Sequence, residues 1–90
     1  MPESSEVTIT LTGDLHARPA GALAVAAARF TSAVELSAGP KSSDARSVLG
    51  IMGLGAVSGQ QVMIRATGPD AWAATSALAD ILARATVVGS

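Results

Sequence analysis

The chain has a single histidine, His16, followed two residues later by Arg18 and three later by Pro19. Sequence periodicity places it between a strand and a helix, at a helix N-terminus where backbone N–H groups lack helical partners and the dipole is positive. Such an end attracts phosphate or carboxylate, and its field favours a neutral, nucleophilic imidazole. The guanidinium of Arg18 is a planar donor suited to phosphate oxygens. These groups together predict a phosphate-sized site at this turn.

A purely structural role is the alternative, because a lone histidine at a helix start often only caps it. Other chemistries have little support in the composition. The chain has neither a second histidine nor a cysteine for a metal site, and no G-x-S-x-G surrounds a serine. The glycines at 50, 53 and 55 lack the lysine of a phosphate-binding loop and fit helix termination and close packing instead. We therefore expect no metal and no cofactor.

Length and charge limit the function classes. Ninety residues with 49% hydrophobic and 14% charged side chains indicate one globular domain over 1–90, with an ordered core of about 6–86. A net charge of −1 argues against nucleic-acid binding. The first residues resemble no secretory signal, and the longest charge-free run, Ser47–Ile64, is interrupted by glycines and glutamines, which argues against membrane insertion. We expect a cytoplasmic monomer.

Hydrophobic periodicity predicts the elements before and after His16. Val7, Ile9 and Leu11 alternate with threonines, which predicts a strand over 7–12. The next segment has apolar residues at helical spacing from about His16 to Arg29, with a stripe of Ala20, Leu23, Ala24 and Ala27.

The rest of the chain repeats these two patterns. We expect strands over 33–37 and 62–67, a polar edge strand over 41–44 and a short helix over 47–52. The last helix opens at Gly68-Pro69-Asp70, with Pro69 in its first turn, and the chain ends in a fraying tail from Thr86. Its apolar stripe is Leu78, Ile81, Leu82 and Ala85. The order β-α-β-β-α-β-α, with one wet sheet face, predicts an α+β fold, an open-faced two-layer β-sandwich.

Two segments carry a family resemblance. The run Leu15–Ala20, LHARPA, resembles the phosphohistidine signature of HPr, the histidine-containing phosphocarrier of the phosphoenolpyruvate:sugar phosphotransferase system. Lys41 with Arg46–Gly55 is similar to the seryl-site signature of that family. The resemblance extends over about Val7 to Ala85 and implies a four-stranded antiparallel sheet with its helices on one face.

The resemblance also implies a function. Enzyme I, charged by phosphoenolpyruvate, would pass a phosphoryl group to Nδ1 of His16, with Ala17 and Arg18 stabilising it, and a IIA protein would accept it for sugar uptake. Such a protein is a carrier and not a stand-alone enzyme. Ser47 matches a regulatory serine that a kinase phosphorylates in some members; the alternative is that Ser47 only caps a helix.

The same resemblance implies a docking surface around His16. We expect Ala17 and five further residues to contribute to it: Leu15, Ala20, Val48, Leu49 and Met52. The alternative for Leu49 and Met52 is a place in the core.

The sequence departs from the family at three places, of which Pro40, in a predicted turn, is a minor one. Asp14 occupies a position where glycine is usual, so its carboxylate would repel the phosphate or pair with Arg18. Val25 and Ala28 stand where lysines are common, which predicts more apolar docking. Two other functions remain open: a module that binds an anion or metabolite without covalent chemistry, and a regulatory relative of the carrier.

Overall fold

The computed structural model describes residues 3–85, with the side chain of Ala85 left out. It contains four strands and three helices in the order predicted from the sequence. The elements are β1 (Ser4–Thr10), α1 (Ala17–Ala27), β2 (Ala33–Ala38), β3 (Lys41–Asp44), α2 (Val48–Gly53), β4 (Gln61–Thr67) and α3 (Ala71–Ala85).

The strands form one antiparallel sheet in the order β1-β4-β2-β3. Val7 pairs with Ile64, and Leu36 pairs with Ile64 from the other side, so apolar residues of three strands share one face. The polar strand β3 lies at an edge, as predicted, where unpaired backbone groups meet water. Because side chains alternate across a strand, the opposite face is polar and exposed.

The helices lie on the apolar face and complete an open-faced two-layer sandwich. α3 packs on β1, β2 and β4, α1 packs against α3, and α2 packs against α1 and β3. The predicted stripe of α1 is buried along its whole length, and Leu78 and Leu82 of α3 are buried completely. The fold class predicted from the sequence is confirmed.

Several predicted boundaries are wrong by a few residues. β1 begins at Ser4 and ends at Thr10, because Leu11 bonds to a loop instead of continuing the ladder with β4. α1 ends at Ala27, two residues before Arg29, in a tight turn in which the amide of Arg29 donates to the carbonyl of Ala26. The predicted tail from Thr86 lies outside the described residues.

The start of α3 differs from the sequence prediction. The helix begins at Ala71, so Pro69 lies before it and not in its first turn. The Asp70 carboxylate accepts hydrogen bonds from the hydroxyl and the amide of Ser32 and from the amide of Thr31. These bonds connect the α1–β2 loop to the start of α3. The Ser32 hydroxyl, followed by the Thr31 amide, lowers the pKa of Asp70 below its usual value of 3.8.

Within residues 3–85, no helix has both the length and the apolar character needed to cross a membrane.

Candidate functional site

His16 is the residue immediately before α1, and its imidazole is exposed. Its backbone is extended (φ −112°, ψ −165°), and its carbonyl accepts the first hydrogen bond of the helix from the Ala20 amide at 3.0 Å. The side chain makes no capping hydrogen bond. The purely structural role weighed above therefore does not describe His16, and the imidazole stands at the positive end of α1 facing solvent.

Two loops meet at this end of the molecule. We call residues 11–16 the His16 loop and residues 54–60, between α2 and β4, the facing loop. Leu11 donates to Gln60 and accepts from Gly59, each at 2.9 Å, and the Leu15 amide donates to the Ala56 carbonyl at 3.0 Å. This ladder of backbone bonds fixes the path of the chain into His16.

Asp14 adds a side-chain bond to the ladder. Its Oδ1 accepts from the Ser58 amide at 2.9 Å, across 44 residues of sequence. The sequence offered two roles for this carboxylate, repulsion of the phosphate or pairing with Arg18, and it predicted only a turn at Ser58-Gly59. This bond was missed because no local pattern links two loops so far apart in the chain.

The first turn of α1 presents the other residues predicted for phosphate. Ala17 and Arg18 are both exposed, whereas Pro19 is buried against the core. The Ala17 amide precedes the first intrahelical bond, which Ala20 donates. An exposed imidazole, a guanidinium two residues on and the helix dipole thus occur together at one helix end.

The second motif forms the start of α2. Ser47 is the N-cap, and its hydroxyl accepts from the Gly50 amide at 2.9 Å. Gly50 is closely packed, because a Cβ there would collide with the Ser43 hydroxyl unless that side chain moved. Gly55 has φ +62° just after the helix, a conformation typical of a helix end. The predicted close packing is thus seen at Gly50 and the predicted helix termination at Gly55, whereas Gly53 is the last residue of α2 and has open space around it.

A carboxylate lies just before this helix. Asp44 Oδ1 accepts from the Arg46 amide at 2.9 Å and lies 3.5 Å from Nε of the same arginine. That amide, aided by the guanidinium, lowers the pKa of Asp44 below its usual value of 3.8.

α1 and α2 lie side by side, as predicted. The exposed apolar residues of α2 are Val48, Leu49 and Met52, whose exposed fractions are 37%, 81% and 40%. Leu49 lies two residues from the fully buried Ile51, on the opposite side of the helix. The alternative that Leu49 and Met52 belong to the core is therefore wrong. We call Val48, Leu49 and Met52 the α2 patch.

Two of the predicted docking residues are buried. Leu15 is 5% exposed and Ala20 is 0% exposed, so neither side chain contributes to an outer surface. Ala20 belongs to the inward stripe of α1 with Leu23 and Ala24, which the helical period already required. Leu15 directly precedes His16 in extended backbone, where successive side chains point to opposite sides. The prediction that these two residues are exposed was wrong.

Comparison with known proteins agrees with this geometry. A family model described as the PTS HPr component phosphorylation site matches residues 3–84. The chain therefore belongs to the HPr family of phosphocarrier proteins, and the resemblance found in its two motifs is confirmed.

Solved structures of the family superpose on most of the chain. HPr-C-His from Thermoanaerobacter tengcongensis is 34% identical, with a TM-score of 0.84 over 96% of this chain and 98% of that one. The phosphocarrier protein HPr from Bacillus anthracis is 32% identical, with a TM-score of 0.77 over 90% and 96%. Crh from Bacillus subtilis, a catabolite repression protein that forms a domain-swapped dimer, is 37% identical, with a TM-score of 0.71 over 84% and 87%.

Proposed function

We propose that this chain carries a phosphoryl group on His16, received from Enzyme I and passed to a IIA protein of sugar uptake. The observation that supports this most directly is the exposed imidazole at the start of α1, which is not used to cap the helix. Its ring nitrogen has a lone pair to attack phosphorus, and the helix end favours the negative charge that arrives.

The transfer needs no cofactor on this chain. As the bond from Nδ1 of His16 to phosphorus forms, the bond that held the phosphoryl group to Enzyme I breaks, and the reverse sequence delivers the group to IIA. Positioning and electrostatics supply the rate enhancement in such transfers. We assign Arg18 and the amide of Ala17 to the phosphoryl oxygens. The chain acts as a carrier and not as a stand-alone enzyme.

The α2 patch is our proposed docking surface for both partners. Exposed apolar side chains on a small protein mark contact sites for other proteins. Val25 of α1 is 61% exposed at a position where the family often has lysine, which supports a docking face more apolar than is usual. We further propose a single domain that acts as a monomer in the cytoplasm.

The deciding experiment uses labelled phosphoenolpyruvate, Enzyme I and the purified chain. We expect one acid-labile, base-stable phosphoryl group per chain, mapped to His16 and chased onto a IIA protein when that protein is added. His16→Ala should accept no label and keep its melting temperature, because an exposed side chain contributes little to packing. Label that persists in His16→Ala would show that the acceptor is another residue.

A regulatory role is the second candidate, because the chain is 37% identical to the catabolite repression protein Crh. A regulatory relative would dock to its target without carrying phosphate, so Enzyme I would leave His16 unlabelled. Size-exclusion chromatography adds a second criterion, since a swapped dimer elutes earlier than the monomer we propose. The third candidate, a non-covalent anion-binding module, predicts a rise in melting temperature with inorganic phosphate alone.

A further inference from the structure

We propose that Asp14 is a positioning residue for phosphoryl transfer: its carboxylate fastens the His16 loop to the facing loop and so fixes the direction of the imidazole. The inference rests on the proposed phosphocarrier function.

The hydrogen bond between Asp14 and Ser58 lies between the backbone hydrogen bonds that join the His16 loop to the facing loop. Backbone bonds join Leu11 to Gln60 and Leu15 to Ala56, and the Asp14 carboxylate reaches the Ser58 amide between them. At 2.9 Å this is a hydrogen bond of ordinary N–H···O length, which any side-chain oxygen in the same place can accept. Glycine, the residue usual at this position in the family, has no side chain to make it.

His16 depends on this ladder because its own side chain makes no capping bond. The position of the imidazole therefore follows that of its backbone. On the C-terminal side that backbone is fixed by the Ala20 amide, and on the N-terminal side by the buried Leu15 and by Asp14. Phosphoryl transfer requires the attacking nitrogen within about 3–3.5 Å of phosphorus and in line, so small loop displacements slow it.

The same bond answers the expectation that Asp14 would repel a phosphate on His16. The Ser58 amide places a positive dipole against the carboxylate at 2.9 Å, which compensates part of its negative charge. Asp14 therefore contributes to the site as a hydrogen-bond acceptor. A neutral acceptor of the same shape should then serve as well.

The test compares Asp14→Ala, which removes the acceptor, with Asp14→Asn, which keeps a side-chain oxygen without the charge. Rapid-quench kinetics with phosphorylated Enzyme I give the transfer rate and the KM for the donor separately. Amide hydrogen exchange at Ser58 reports on the bond itself. Asp70→Ala is the matched control, because it removes a carboxylate with amide partners at the other end of α1.

We expect Asp14→Ala to transfer about 2- to 10-fold more slowly, the loss of one hydrogen bond. The KM should stay unchanged, and the Ser58 amide should exchange faster. Asp14→Asn should restore both the rate and the protection. Asp70→Ala should lower the melting temperature and leave transfer at the parental rate when assayed well below that temperature.

Three outcomes would overturn the positioning role. These are a parental rate in Asp14→Ala, equally slow transfer in the alanine and asparagine variants, and unchanged exchange at Ser58 in Asp14→Ala. If the alanine and asparagine variants are equally slow, the charge of the Asp14 carboxylate and not its hydrogen bond determines the transfer rate. Failure of the phosphocarrier proposal looks different, because the parental protein itself then accepts no label, and the positioning role falls with it.

Discussion

At the scale of single residues, the proposed site combines one nucleophile, His16, with one fixed positive charge, Arg18. Arg18 is exposed in the first turn of α1, two residues after His16. A guanidinium donates two parallel hydrogen bonds to phosphate oxygens, whereas an ammonium acts as a point charge. The distinction matters most when charge develops on the transferring group.

We predict that Arg18→Lys slows transfer by about tenfold and Arg18→Ala by about a hundredfold, with little change in the Kd for Enzyme I. The reason is that the planar guanidinium of Arg18 is complementary to the transferring phosphoryl group more than to the surface of docked Enzyme I. Rapid-quench transfer and calorimetric binding measure the two quantities. Arg29→Ala, just beyond the other end of α1, is the control. If Arg18→Ala transfers at the parental rate, Arg18 does not contact the transferring phosphoryl group.

At the scale of elements, α2 combines the Ser47 cap with the α2 patch, our proposed docking surface. The Ser47 hydroxyl satisfies one amide of a helix only six residues long, so the cap matters for its stability. Phosphorylation here would add up to two negative charges beside the α2 patch.

We predict that Ser47→Ala lowers the free energy of unfolding by about 1 kcal/mol and transfers normally. Ser47→Asp should keep the cap and the stability but accept phosphate from Enzyme I more slowly, because its charge repels an acidic partner. Urea denaturation and transfer kinetics on the three proteins measure both effects. Equal transfer rates in all three would leave Ser47 as a cap alone.

A second prediction at this scale concerns Leu49, the most exposed residue of the α2 patch at 81%. Leu49→Asp should weaken Enzyme I binding by about 1–2 kcal/mol, since an apolar contact is replaced by a desolvated charge. The fold should tolerate it, because aspartate is favourable in the first turn of a helix. Trp72→Asp, at a 73% exposed position of α3, is the matched control. A large drop in melting temperature with unchanged binding would contradict the docking role.

At the scale of the whole molecule, Asp70 connects the α1–β2 loop to the start of α3. Its carboxylate accepts hydrogen bonds from Thr31 and Ser32, which lie in the loop that follows α1. The pKa of Asp70 is lower in the folded protein than its usual value of 3.8. A lowered pKa means that the ionised form stabilises the fold above that usual value, and that this stability is lost as the pH falls through the folded pKa.

We predict that Asp70→Asn destabilises the protein at neutral pH and that the difference from the parent shrinks on acidification below about pH 4. The reason is that the parental carboxylate then becomes protonated and resembles the variant. Urea unfolding curves between neutral and acidic pH measure the difference directly. A difference that stays constant across this range would show that ionisation of Asp70 contributes nothing.

Local sequence patterns were enough to predict the element types, their order and the position of His16 before a helix. Strand alternation and helical stripes depend on residues within a few positions of one another, so they can be read along the chain. The position of His16 before α1 and the Ser47 cap are local in the same sense, and both follow from the sequence.

The burial of Leu15 and the bond from Asp14 to the facing loop depend on contacts between distant parts of the chain, so they become visible in the folded molecule. Leu15 shares the LHARPA motif with His16 but is buried, because its burial depends on elements packed from elsewhere in the chain. The inward position of Ala20, in contrast, already follows from the helical period. The bond from Asp14 to Ser58 spans 44 residues and joins two loops without periodicity. Contacts between residues so far apart in the sequence depend on how the sheet brings the two loops together, and no local sequence pattern predicts them.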